Sequence, residues 1–189
     1  MFLKDTIVPK SLNDFVINKK VANNIQQLFC KEFLSNLYIF GPPGSGKYTL
    51  FLKCLEMIVG KKIETVLKTL NINNQWASIK EYSILVSEFH FEINLSKYSN
   101  NKNNLFSIID TITESKEINN NLDFKIILIR NIHNISNDFI KFIKKKAEQL
   151  SDSIRFVLIG NTNSVNISTL TGTFFFLRVE APSNTEIMQ

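Results

Sequence analysis

The chain has 189 residues, 44% hydrophobic and 21% charged, enough for one α/β domain with a packed core and unlike a disordered segment. Its net charge of +5 permits a polyanionic partner without naming one. No apolar run approaches the roughly 20 residues of a membrane span, and the N-terminal MFLKDTIVPK lacks the long apolar core and cleavage site of a secretory signal.

In chain order, Val21, Ile25, Leu28 and Phe29 recur at helical spacing behind Asn18, a plausible cap. Asn36–Phe40 reads as a short buried strand, and a glycine-rich loop follows it. Leu50, Phe51, Cys54, Leu55 and Ile58 then mark a helix ending at Gly60. The stretch Lys61–Ser87 gives no clear pattern. Phe89, Phe91 and Ile93 alternate with His90, Glu92 and Asn94, the period of a half-buried strand. Leu105, Ile108, Ile109 and Ile112 form a helical face, and Phe124–Ile129 is a near-continuous apolar run suited to a parallel strand covered on both sides. A basic helix over Asp138–Leu150 and strands over Ile154–Ile159 and Phe174–Val179 complete the order. Strands alternating with helices predict one domain built on an open, mostly parallel sheet with helices on both faces. Cys30 and Cys54 sit inside apolar-periodic segments and read as buried thiols of a reducing, intracellular compartment.

The loop GPPGSGKYT (Gly41, Pro42, Pro43, Gly44, Ser45, Gly46, Lys47, Tyr48, Thr49) lies where phosphate binding requires it, after a strand and opening a helix. Its glycines let successive N–H groups face inward toward a polyphosphate, which also meets the positive end of the helix. Lys47 is placed to reach the outer phosphates as a point charge.

Hydrolysis needs a small hydroxyl after the lysine to hold Mg²⁺, and an acid at the end of another strand. Tyr48 carries its hydroxyl too far from the backbone. Thr49 cannot replace it, because one residue along a helix turns the side chain by about 100°. Where the acid belongs, after the run to Ile129, stand Arg130 and Asn131. Arg130 reads equally as a solvated strand end. The nucleotide site is expected to be present and the hydrolytic groups absent. His90 and His133 have no zinc-like partners in the sequence, and no metal site is expected.

Six segments in this order resemble the small subunits of replication factor C, the AAA+ sliding-clamp loader, and most closely the non-hydrolysing type. DTIVPKSLNDFV is similar to the family's D-K-Y-R-P-x-S-L-x-D-x-V, keeping Pro9, Leu12, Asp14 and Val16 but with Val8 in place of the arginine. NLYIFGPPGSGKYT resembles H-L-L-x-Y-G-P-x-G-x-G-K-K-T, where the position of Tyr48 is often lysine. FHFEIN, DFKIILIRNIHNIS, RFVLIGNTNSV and FLRVEAPSNTEI match further family segments. The resemblance implies a P-loop NTPase domain of AAA+ type over residues 1–183, with 184–189 starting a helical lid domain that is not present.

It further implies that Gly41–Thr49 hold the phosphates of ADP or ATP and that the segment around Pro9 and Val16 touches the base. The missing small hydroxyl speaks against Mg²⁺. Asn161 falls on the family's γ-phosphate sensor, with a turn residue after a strand as the alternative reading. Lys144 and Lys145 fall on paired basic residues of a helix facing DNA in the ring. With Lys141 and Lys146 they could meet duplex phosphates without reading bases, or simply form a solvated cationic face. The implied partners are other loader subunits in a hetero-oligomer, the sliding clamp and primer–template DNA, with no membrane. The implied location is the nucleus or the replication compartment of a virus.

Two departures qualify this. The family's S-R-C arginine finger aligns on Gly172-Thr173-Phe174, so its arginine is missing, and the chain stops at Gln189 before the lid and collar. A fragment and a truncated paralogue both fit that ending. A clamp-loader subunit that binds nucleotide without cutting it is the leading expectation. An active AAA+ ATPase with another replication role and a nucleotide-free interaction scaffold are the alternatives.

Overall fold

The computed structural model describes residues 9, 11–15, 21, 25, 35–72, 80–98, 104–115, 122–132, 135–161 and 168–181. Val16, Asn18, Leu28, Phe29, Cys30, His133 and the expected domain end near residue 183 lie outside the described residues.

One seven-stranded sheet carries the domain, in the order β2-β3-β4-β5-β6-β1-β7. The strands are β1 (Leu37–Phe40), β2 (Val66–Ile72), β3 (Lys80–Val86), β4 (His90–Asn94), β5 (Lys125–Arg130), β6 (Ile154–Gly160) and β7 (Phe175–Arg178). From β4 through β5, β6 and β1 to β7 every pairing is parallel, whereas β2–β3 and β3–β4 are antiparallel. Three longer helices are described: α1 (Lys47–Val59), α2 (Asn104–Glu114) and α3 (Asn137–Gln149).

Alternation along the central strands sorts side chains into two cores, as the strand's two-residue period requires. On β5, Ile127 and Ile129 join the cluster of α2 and α3, while Ile126 and Leu128 join that of α1. On β6, Phe156 and Leu158 go one way and Val157 and Ile159 the other. The helical faces answer: Leu50, Phe51, Cys54, Leu55 and Ile58 of α1 are buried on one side. Leu105, Ile108, Ile109 and Ile112 of α2, with Phe139, Ile140 and Ile143 of α3, are buried on the other. Each such side chain contributes roughly 1.5–3 kcal/mol by leaving water. The predicted layers are therefore present, and α1 ends at Gly60, as expected, in a left-handed C-cap. Cys54 is a free, buried thiol whose pKa is pushed up by burial.

Two elements differ from the expectation. The stretch without a readable pattern forms the β2–β3 hairpin, which extends the parallel sheet by an antiparallel edge. The strand taken as half-buried, β4, is covered on both faces, with His90 1% and Glu92 2% exposed. Its polar side chains lie under α1, where the His90 ring meets Phe51 edge-on at 5.7 Å.

Lys125 is a second buried charge. Its ammonium donates to Ile112 O at 2.8 Å, Ser115 O at 2.6 Å and Ser115 Oγ at 3.0 Å. The cation thus caps the carbonyl end of α2 and pins that helix to β5. Lys125→Met keeps the apolar stem but strands those carbonyls. It is expected to cost about 2 kcal/mol, or roughly 4–8 °C in Tm, in a thermal melt.

Candidate nucleotide site

The loop between β1 and α1 turns tightly into the helix. Gly46 takes φ 81° at the N-cap of α1, and Leu50 N–H donates to Gly46 O at 2.8 Å. Pro42, Pro43 and Gly44 are exposed on the rim, while Ser45, Tyr48 and Thr49 are half-buried. The Lys47 ammonium folds back into its own loop, donating to Gly41 O at 2.8 Å, Pro42 O at 2.6 Å and Ser45 Oγ at 3.3 Å. Burial lowers its pKa. These contacts hold a positive charge inside the cradle with only neutral acceptors around it. A polyphosphate placed there would offer Lys47 anionic acceptors in place of neutral ones, and charge-assisted bonds are the stronger.

Beside the cradle is a cluster that sequence reasoning missed. The Tyr48 hydroxyl donates to Glu92 Oε2 at 2.7 Å, and Arg130 Nη1 donates to Glu92 Oε1 at 2.6 Å. The Arg130 guanidinium lies 3.9 Å above the Tyr48 ring centroid. Each member therefore touches the other two. Burial alone pushes the Glu92 carboxyl up, but His90, Tyr48 and Arg130 outweigh it and hold its pKa at about 2. Burial first, then the bond to Glu92, pushes the Tyr48 phenol up. The signal available in the sequence was a lone glutamate on the polar side of a strand, with nothing to mark its partners.

His90 supports this cluster from below. Ser87 Oγ accepts N–H groups from Phe89 at 3.1 Å and His90 at 3.0 Å, so its own hydrogen goes to His90 Nδ1 at 2.6 Å. That assigns the ring hydrogen to Nε2, which stands 4.0 Å from Glu92 Oε2. No group of three or more candidate metal ligands occurs among the described residues.

Several other predicted residues can be placed. Asn131 has φ 61° and its amide donates to Asn94 Oδ1 at 2.8 Å. Asn161 directly follows β6, and the pairing of Phe40 with Gly160 puts it level with the start of the loop. Pro9 is half-buried, and Leu12 nearby packs into the α1 cluster. On α3, Lys141 and Lys145 are exposed. Lys144 donates to Thr169 O at 2.9 Å, and Lys146 pairs with Asp110 at 2.6 Å. The four lysines thus do not form one uniform face. In the Gly172-Thr173-Phe174 segment, Thr173 Oγ1 donates to Glu148 Oε1 at 2.9 Å and Phe174 is buried.

The Mg²⁺ ion that P-loop sites employ does not fit this donor set. The hydroxyl after the lysine is a phenol spent on Glu92, both Glu92 oxygens are taken, and a guanidinium stands at the strand end.

No protein-family model matches the chain. A protein described as a replication factor C small subunit in Acanthamoeba polyphaga mimivirus is 30% identical over 168 residues, covering 87% of this chain and 45% of that protein. Replication factor C subunit 5 of Oryza sativa subsp. japonica is 26% identical, covering 100% and 55%. Replication factor C subunit 3 of Homo sapiens is also 26% identical, covering 97% and 52%. The chain thus spans about half the length of the curated relatives it matches. Among solved structures, two of RuvB from Thermotoga maritima superpose with TM-scores of 0.55 and 0.54 at 17% and 18% identity. They cover 95% of this chain and 51% and 50% of their own, and speak to the fold alone. That likeness agrees with the expected fold class, an open, mostly parallel sheet with helices on both faces. The motif resemblance is matched by similarity to replication factor C small subunits over nearly the whole chain.

Proposed function

We propose that this homologue of replication factor C small subunits is the nucleotide-holding domain of a clamp-loader subunit that binds ADP or ATP and does not hydrolyse it. In this reading it sits in a hetero-oligomer with other loader subunits and helps load a sliding clamp onto primer–template DNA. Lys141 and Lys145 meet DNA phosphates, and Asn161 senses the outer phosphate. The site of action is the nucleus or a viral replication compartment.

The observation that carries the reading is the combination in one site. A strand–loop–helix cradle closes on Lys47, while Tyr48, Arg130 and Asn131 stand where hydrolysis needs a small hydroxyl and acids. Without an arginine at Gly172-Thr173-Phe174, the subunit also has no such finger to offer a neighbour's ATP.

Calorimetric titration with ADP and ATP, ATP turnover, and pull-down of loader subunits together test this. Binding without turnover above background is expected. Lys47→Ala is expected to weaken binding by about 2 kcal/mol, a factor of roughly thirty. Robust turnover that Lys47→Ala abolishes would overturn the non-hydrolysing role. Absence of heat with either nucleotide would favour a scaffold.

A further inference from the structure

The Tyr48–Glu92–Arg130 cluster occupies the part of the site where a P-loop enzyme assembles its metal, and its chemistry is the inverse of a metal site. Mg²⁺ demands near-octahedral oxygen donors and usually keeps several waters. Here the carboxylate that could face it is 1% exposed at its side chain, with one oxygen accepting from a phenol and the other from a guanidinium. Asn131, next along the chain, spends its amide on Asn94. A divalent cation entering this corner would meet the like charge of Arg130, and the one carboxylate beside it already accepts from Tyr48 and Arg130.

The corner nevertheless contains a fixed cation. Arg130 is clamped at 2.6 Å by Glu92 below and stacked 3.9 Å over the ring of the residue that follows Lys47. Its side chain remains 28% exposed, so the pair is buried at the anion and open at the cation. Only Nη1 is bonded, which leaves further guanidinium N–H donors without a partner among the described residues. Guanidinium groups suit phosphate oxygens because they present several donors in one plane and keep their charge at any working pH.

Building on the nucleotide-binding reading above, we propose that Arg130 is the resident cation of this site, and that the loop takes a nucleoside di- or triphosphate without Mg²⁺. Glu92 and Tyr48 act as positioning residues that hold the guanidinium beside the phosphates. The retained cradle and the lost hydrolytic groups then have one cause, since the arginine that replaces the metal's charge also removes the acid that would hold the metal.

The test is calorimetric titration of ADP into the intact chain, once with excess EDTA and once with millimolar Mg²⁺. The two dissociation constants are expected to agree within about twofold, and Arg130→Gln to weaken binding in EDTA by about tenfold. Binding that tightens tenfold or more with Mg²⁺ overturns the inference and leaves nucleotide binding standing. No heat under either condition overturns both. Because Arg130→Gln also unpairs Glu92, its fold is checked by thermal melt, and the metal comparison on the unaltered chain decides the question if the variant does not fold. An Arg130→Gln variant that folds and binds ADP as tightly as the parent overturns the role of the guanidinium.

Discussion

Glu92→Gln is expected to destabilise the domain by about 3 kcal/mol at neutral pH, or roughly 6–12 °C in Tm, far more than an average substitution. Glutamine keeps the shape of the side chain but cannot accept two charge-assisted bonds. The Arg130 guanidinium then loses its only described counter-charge, and the Tyr48 hydroxyl competes with it for one amide oxygen. The pH dependence has a fixed sign. Folding holds the Glu92 pKa at about 2 against an ordinary 4.5. The folded state therefore binds its proton less readily than the unfolded chain, and the stabilisation is fully present above pH 4.5. It is lost as pH falls from there through about 2. Urea melts of parent and variant should thus differ most near pH 7 and converge in acid. A difference that stays constant down to pH 3 would assign the effect to packing and not to the carboxylate's charge.

The depth at which this cluster was hidden shows where sequence reading stops. The strand–loop–helix turn of Gly41–Thr49 was legible because its signal is carried by consecutive residues, with glycines close together between a strand and a helix. The β5 and β6 strands and the α1 face were legible because both cores impose a period on them. Glu92, by contrast, lies 44 residues from Tyr48 and 38 from Arg130. What joins Glu92 and Arg130 is the parallel register of β4 and β5, where Asn94 pairs with Arg130. No local pattern encodes a register between two strands separated by a helix. The same polar residues misled in a second way, since an alternating strand suggests a solvated face. Here that face is sealed by α1, and Glu92 is held there by Tyr48 and Arg130.

The β2–β3 hairpin failed for a different reason. Val66 and Leu67 are consecutive and both exposed, so the outer strand shows none of the inside–outside contrast on which strand recognition depends. The basic helix was recognised as cationic, but charge in a sequence carries no address. Lys146 points its ammonium to Asp110 and Lys144 to a backbone carbonyl, which leaves Lys141 and Lys145 as the more accessible pair.

The second large effect belongs to the first residue of the loop. A methyl group at Gly41 would sit 1.9 Å from Val179 O and 3.0 Å from Val179 C, and backbone atoms cannot turn aside as a side-chain end does. Val179 is itself tied down, because its N–H donates to Phe40 O at 2.8 Å where β7 runs alongside β1. Gly41→Ala must therefore separate the ends of those two strands or distort the loop, and it adds an unfavourable φ of 155°. A loss of at least about 3 kcal/mol is expected, together with loss of ADP binding in the folded fraction. Gly44→Ala is the matched control. It too has a positive φ, 79°, but an added methyl meets nothing within 4 Å. Its cost should be conformational only, about 1–2 kcal/mol. Chemical denaturation and ADP titration of the two variants separate the causes. If Gly44→Ala is as damaging as Gly41→Ala, backbone conformation governs the loop. If only Gly41→Ala fails, the close passage of β7 over the start of the loop sets its shape, and the phosphate cradle depends on the last strand of the sheet as much as on its own glycines.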